Sequence, residues 1–280
     1  MDNAPSRGTG RKVSLNELRG VYIIWYRDLL RFWRDRIRLV TAFIQPLFFL
    51  LIFGTGLSSS MALVSRQSED YDYIQFMYPG VIAMIVLFTA IMWGISIVWD
   101  REFGFLKEVL VAPVSRFSVA IGKALGGATI ATIQGTMMLV FAPVAGVNLS
   151  ITQIIPLLIL MFIIAISLTS MGIFVASRVK TMESFQIVMQ LLLFPLLFIS
   201  PALFPVDQLP SWLGWMVRVN PVSYAVDSLR QVVLSHTEGG YPATLEFLGH
   251  NMSVAEDALV ILLFGIIMVT LAVWSFGRQE

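Results

Sequence analysis

The sequence predicts an all-α membrane protein: six transmembrane helices, an N-terminal amphipathic interfacial helix, and an extracytoplasmic re-entrant helical hairpin before the last span. Three observations predict it. Hydrophobic residues make up 57% of the 280 and charged residues 13%, about half the charged share of a soluble domain. Five intervals carry no charge at all: Leu39–Ser65, Tyr73–Trp99, Ala124–Ser177, Ser184–Val206 and Ala258–Gly277. The basic residues, finally, gather between alternate intervals. There is no cysteine, which excludes disulfides, thiolate chemistry and cysteine metal sites. A net charge of +1 gives no reason to expect nucleic acid as a partner.

Residues 1–14 read as a disordered tail and 15–280 as a single transmembrane domain. The first apolar block starts at Leu39, beyond the first 15–30 or so residues that hold a signal peptide, so it is expected to stay in the protein. Before it, Leu15 to Arg38 reads as an amphipathic helix along the inner surface. Trp25 and Trp33 recur with leucines near helical spacing, and Arg27, Arg31 and Arg34 occupy much of the rest. A basic face opposite Trp and Phe suits the headgroup region of an anionic leaflet. Ser14 followed by Glu17 predicts a capping box at its start. Such a helix serves as a membrane anchor, as a docking element for a partner, or as both.

A membrane helix needs about 20 mainly apolar residues. Four of the charge-free intervals hold one helix each. Ala124–Ser177 holds two, with Gly146-Val147-Asn148-Leu149-Ser150 supplying most of the turn between them. The spans fall at about 39–60, 76–99, 120–145, 152–176, 184–204 and 257–277. With the N-terminus inside, 16 of the 19 basic residues lie on the inner side, leaving Arg66, Arg218 and Arg230 outside. That bias sets both termini in the cytoplasm.

Two further segments are more than connectors. The inner stretch Trp99 to Arg116 mixes both charge signs with Phe103, Phe105, Leu106, Val109 and Leu110, where a mere joint would be short and polar. It predicts a short helix with an apolar stripe, stopped before Pro113, that docks on a cytoplasmic partner. Glu102 and Glu108 have no histidine or third acid near them, so neither a metal nor an acid–base site is expected. On the outside, Ser200-Pro201-Ala202-Leu203-Phe204-Pro205 breaks the fifth span. Apolar segments too short to cross then follow, divided by Asn220-Pro221. They fit a re-entrant hairpin or loop helices resting on the bilayer.

These two stretches resemble the membrane subunit of ABC-2 type exporters. The inner loop carries the pattern Glu102, Gly104, Leu106, then Leu110 and Pro113, with Phe105 and Ala112 where other members often have Thr. The outer region carries Phe204-Pro205-x-x-x-Leu209-Pro210 followed by Asn220-Pro221-Val222-Ser223-Tyr224. The resemblance runs from Leu15 onward and is nearest to the daunorubicin-resistance and nodulation-factor permeases. It implies that Glu102, Gly104, Phe105, Leu106, Glu108, Leu110 and Pro113 form the coupling helix, and that Trp25, Arg27, Arg31, Trp33 and Arg34 belong to the connecting helix. Pro201, Pro205, Pro210, Asn220, Pro221 and Tyr224 would then mark the external re-entrant pair. It further implies a dimer of permease subunits (two copies, or one and a paralogue), membrane lipids as neighbours, and a separate ATP-binding subunit holding ATP and Mg2+. The setting it implies is the plasma (inner) membrane of a bacterium or archaeon.

The residues agree that energy must come from elsewhere, since Gly122-Lys123 is followed by Ala124 and no phosphate-binding loop precedes it. Amphipathic, lipid-like or drug-like molecules suit the apolar spans, with a lipid-linked glycan as the alternative substrate. A secondary transporter would want ionisable groups at mid-membrane, whereas the charges here fall at span ends and in loops. A membrane-embedded enzyme would need more than His236 and His250, 14 apart with no ligand spacing. A passive channel would leave the patterned inner loop unexplained.

Overall fold

The computed structural model describes residues 9–37, 40, 44, 47–48, 50–52, 73–102, 115–203, 210–235, 245–247 and 250–277. Helix α1 spans Thr9–Arg34. The chain resumes in α2 (Tyr73–Met92), turns at Trp93–Gly94, and continues as α3 (Ile95–Glu102). Then come α4 (Arg116–Leu139), a 3-10 turn at Ala142–Ala145, α5 (Ile151–Arg178) and α6 (Met182–Phe198). Helices α7 (Ser211–Val219) and α8 (Pro221–Val233) precede an antiparallel ribbon of β1 (Glu246–Phe247) and β2 (His250–Asn251), paired Glu246 to Asn251 and Phe247 to His250. Helix α9 (Val254–Gly277) follows.

Local chemistry accounts for the boundaries. Ser115 Oγ accepts from Ser118 N (3.1 Å) and starts α4. At the other end of that helix Gly146 adopts φ +70° and closes the 3-10 turn, a conformation that costs a glycine nothing. Ser150 and Gln153 then form a reciprocal capping box at the start of α5, with Ser150 N donating to Gln153 Oε1 at 2.7 Å. The turn expected around Gly146–Ser150 therefore has two separate causes, a left-handed stop and a capped start. Thr181 caps α6 in the same way, its Oγ1 accepting from Ser184 N at 3.2 Å.

Three helices among the described residues are long and apolar enough to cross a membrane: Tyr73–Glu102 through its break, Ile151–Arg178 and Val254–Ser275. Helix α6 is apolar but only 17 residues long. The first expected span, about 39–60, lies mostly outside the described residues. Helix α5 is the axis of the bundle, packed by α2, α4, α8 and α9.

Its seams are built from small residues, as suits helices with no hydrophobic effect to draw them together in lipid. Gly172 meets the backbone of Ile91 and Gly94 meets that of Gly172. Gly265 meets Ser167, whose Oγ lies 3.1 Å from Ile261 O. Ser177 and Ser275 join hydroxyls, and Arg178 Nε donates to Ser275 Oγ at 2.9 Å. Inside the bundle, Thr89 donates to the buried Gln134, and Tyr78 OH donates to Met138 O at 2.8 Å.

The N-terminal helix departs from expectation in three ways. It begins at Thr9, not Leu15, so Ser14 lies inside it and is no N-cap. No proline interrupts residues 9–15, and adding turns to an existing helix is far easier than starting one. Its inward face is also not a layer of large apolar groups: Gly20, Ile24, Asp28 and Phe32 pack lengthwise against α4, with Ile24 seated at Gly122 and Asp28 at Gly126. Finally, the large apolar and aromatic groups Leu18, Tyr22, Ile23, Tyr26 and Trp33 face outward. The exposed face of α1 thus carries large apolar groups, the reverse of a soluble helix.

Candidate functional site

Helices α1, α3 and α4 meet at a quartet of charges, three of them buried. Asp28 and Lys123 are each about 1% exposed and Asp100 7%. Lys123 Nζ lies 2.7 Å from Asp100 and 3.4 Å from Asp28, and accepts a third neighbour in Ser96 Oγ at 3.2 Å, to which it donates. Arg27 closes the ring, 3.1 Å from Asp28 and 3.2 Å from Asp100. Two cations and two anions make the quartet neutral, the condition under which buried charges are tolerated. The helical repeat places Asp28 one turn beyond Ile24 and one before Phe32, on the face that docks.

Further contacts hold α1 against α4. Trp25 Nε1 donates to Thr129 Oγ1 at 3.0 Å, and Ser118 Oγ to Glu17 O at 3.2 Å. Arg31 lies over the Trp99 ring, 5.2 Å from its centroid. Arg27 and Arg31 therefore reach the end of α3 and do not simply form a solvent or headgroup face, whereas Arg34 is exposed. Glu102, exposed at the end of α3, and Ser115, the cap of α4, are the described residues on either side of positions 103–114. Thus the three helices tied by the quartet are the N-terminal helix and the two helices that flank positions 103–114.

At the other end, α7 and α8 form a helical hairpin pinned by its prolines and asparagine. Asn220 caps α8, its Oδ1 accepting from Val222 N at 3.0 Å, while its Nδ2 donates to Leu196 O of α6 at 2.7 Å. Pro221 occupies the first helical position, where no N–H is needed. Tyr224 OH donates to Arg218 O at 2.6 Å, joining the two helices; burial raises its phenol above the ordinary value. Pro201 is buried, and its carbonyl accepts from Arg230 Nη2 at 2.5 Å. The Arg230 guanidinium also stacks 4.0 Å from the centroid of Phe76. Pro210 precedes α7 and is exposed. Between α6 and α7 lies an apolar groove of about 500 Å³, lined by Leu192, Pro195, Trp215, Met216 and Val219 among others.

Residues 19–234 match the family model described as ABC-2 type transporter. The chain belongs to the ABC-2 type transporter family. It is 28% identical over 250 residues to a protein of Cyanophora paradoxa named as the transport permease ycf38, covering 88% of this chain and 85% of that one. Nodulation protein J of Rhizobium leguminosarum is 27% identical over 196 residues, covering 69% and 72%. A Mycobacterium tuberculosis protein named as the doxorubicin resistance ABC transporter permease DrrC is 27% identical over 210 residues, covering 73% of each. The resemblance read from the inner and outer motifs is thereby shown. Members of this family are membrane subunits of transporters whose ATPase is a separate subunit, and this permease associates with such a subunit on that ground.

Of the residues singled out in this ABC-2 permease, Gly104, Phe105, Leu106, Glu108, Leu110, Pro113 and Pro205 lie outside the described residues. The rest fall at the two ends described above. Asp28, Asp100 and Lys123 are the functional candidates that sequence reasoning passed over. A signal was present in Asp28, an acid within the basic run of α1, but its partner Lys123 is 95 residues away and carries no local mark.

Proposed function

We propose that this chain is the membrane-spanning permease of an ATP-driven exporter, moving an amphipathic, lipid-like or drug-like molecule outward on energy from a separate ATP-binding subunit. The observation that carries the reading is the neutral quartet, which makes α1, α3 and α4 one mechanical body at the root of the inner loop. A loop held at both ends by such a body transmits a push; a loop between independent helices would absorb it. Residues 103–114, with Glu102, supply the apolar and acidic surface for the partner, and burial of a large side chain there contributes about 1.5–3 kcal/mol. The groove beside α6 and the absence of charge from its lining support an apolar substrate class.

Six spans, a second permease subunit and a re-entrant α7–α8 pair complete the proposal, with both termini cytoplasmic and the inner membrane of a bacterium or archaeon as the setting. ATP and Mg2+ bind the partner. The outward apolar face of α1 sits against lipid.

Reconstitution with a cognate ATP-binding subunit tests the reading. Substrate-stimulated hydrolysis and ATP-dependent movement of an anthracycline or a fluorescent phospholipid are expected from the pair, and neither from this chain alone. Joint Glu102→Ala and Leu106→Ala substitution should leave membrane insertion intact and lower partner binding or transport at least tenfold. Full transport by the double variant would remove the loop from the coupling path, and transport without any ATP-binding subunit would favour a secondary carrier. Orientation has its own test, since a chain without cysteine labels cleanly. An impermeant thiol reagent on intact cells should modify Gly240→Cys and spare Phe105→Cys, and the reverse pattern would invert the topology.

A further inference from the structure

Helix α8 carries a second buried polar cluster that the coupling reading does not use. Asp227 and Asp257 are 1% and 0% exposed, and the Gln231 amide lies within hydrogen-bond distance of both, bridging α8 and α9. Gln231, one turn beyond Asp227, sets its Nε2 3.0 Å from Asp227 Oδ2, 3.1 Å from Asp257 Oδ2 and 3.0 Å from Met252 O. An amide nitrogen has two hydrogens, and here it faces three acceptors. Asp257 Oδ1 is buried with no hydrogen-bond partner among the described residues. Among the described residues the cluster is one hydrogen short.

The same groups hold the ribbon. Leu245 N, just before β1, donates to Asp227 Oδ2 at 3.1 Å, while Met252 O, just after β2, accepts from Gln231. Met252 N returns to Leu245 O at 3.0 Å. Both ends of the ribbon and the first turn of α9 are therefore anchored on one i, i+4 pair of α8.

We propose that Asp227 and Asp257 share a proton, and that this proton latches the β1–β2 ribbon and the start of α9 onto the external hairpin. Its placement on the outside rests on the orientation proposed above. Two buried carboxylates bridged by one amide cannot both ionise without a large electrostatic cost, and a single proton supplies a hydrogen for Asp257 Oδ1. Among the described residues the neighbouring charged groups offer no hydrogen bond to Asp257 Oδ1. On α8, Arg230 is engaged by Pro201 O and Phe76, and Tyr224 is bonded to Arg218 O. From α9, Glu256 adds negative charge but is held by Ser253 and by His250 of the ribbon. From α7, Arg218 donates to Glu246 O; from α2 comes Tyr73, bonded to Leu203 O; and α5 brings the neutral Gln153, bonded to Val232 O.

Burial raises the Asp227 carboxyl, against the lowering effect of the Leu245 N–H, Gln231 and Arg230. A carboxyl raised on folding favours the folded state at low pH, and that contribution is lost as pH rises through its folded value. The latch is therefore closed in acid and opens in alkali.

Two reporters read it in right-side-out vesicles of the full chain: the buried Leu245→Cys and the exposed Asn251→Cys, which corrects for thiol ionisation. The ratio of their labelling rates is expected to rise at least tenfold between external pH 6 and 10, and to stay flat when Asp257→Asn or Asp227→Asn is added. A flat ratio in the native pair overturns the latch, and that measurement needs neither Asn variant to fold. An equal rise in the native pair and in both Asn variants also overturns it. Failure to label Asn251→Cys at all, with labelling restored in inverted vesicles, indicts the orientation and not the latch.

Discussion

Lys123→Met is expected to cost the permease about 3–5 kcal/mol, the range for removing one partner from a buried ion pair. Methionine keeps most of the aliphatic stem, so the loss is electrostatic: Asp28 and Asp100 are left buried with Arg27 as their single described salt-bridge partner. An unfolding temperature on detergent-solubilised protein, together with the amount recovered from membranes, measures it. The informative comparison is the double variant Lys123→Met with Asp28→Asn. It leaves one cation and one anion, Arg27 and Asp100 at 3.2 Å, and should recover more than half of the loss. Non-additivity of that size is expected only of groups in one network. If Lys123→Met is as stable as the native chain, the quartet does not bind α1 to the loop flanks and the proposed transmission loses its support.

Gly172→Val should be strongly damaging to the helical bundle. A Cβ at Gly172 would lie 2.2 Å from Ile91 O, and one at the reciprocal Gly94 would lie 2.4 Å from Gly172 O. Both obstacles are backbone, so relief requires α2 and α5 to separate. Overpacking typically costs about 1–3 kcal/mol, and more where the backbone must shift. Gly172→Ala should already reach the upper part of that range, and Gly172→Val should exceed it. Gly214→Ala serves as the control, because nothing stands within 4 Å of its added methyl; it should change the unfolding temperature little or raise it slightly. Equal tolerance at Gly172 and Gly214 would contradict the packing described.

Much of this architecture was readable from residues alone, for identifiable reasons. Runs without charge mark α5 and α9 because lipid admits little else, and the Asn220-Pro221 cap announces itself because its chemistry is local. The family followed from such local patterns. What stayed hidden depends on contacts between distant positions. Asp100 and Lys123 each look like ordinary charges at helix ends, and only the folded arrangement of α1, α3 and α4 makes them a unit. Asp227 and Asp257 were invisible in the same way, 30 residues apart. The α1 pattern was read as a basic face opposite Trp and Phe, and only the fold shows that Arg27 and Arg31 turn to α3.

Helix α4 carries a consequence for how the permease is made. It bears Lys123, Gln134, four glycines and three threonines along 24 residues, and it is not among the helices apolar enough to cross by composition. Its polar groups are answered by other helices: Lys123 by Asp28 and Asp100, Gln134 by Thr89, Thr129 by Trp25. A nascent segment of this kind gains little from partitioning into lipid by itself. On the six-span arrangement proposed above, its integration during synthesis is expected to be cooperative, deferred until α1 and α2, which precede it in the chain, can receive it.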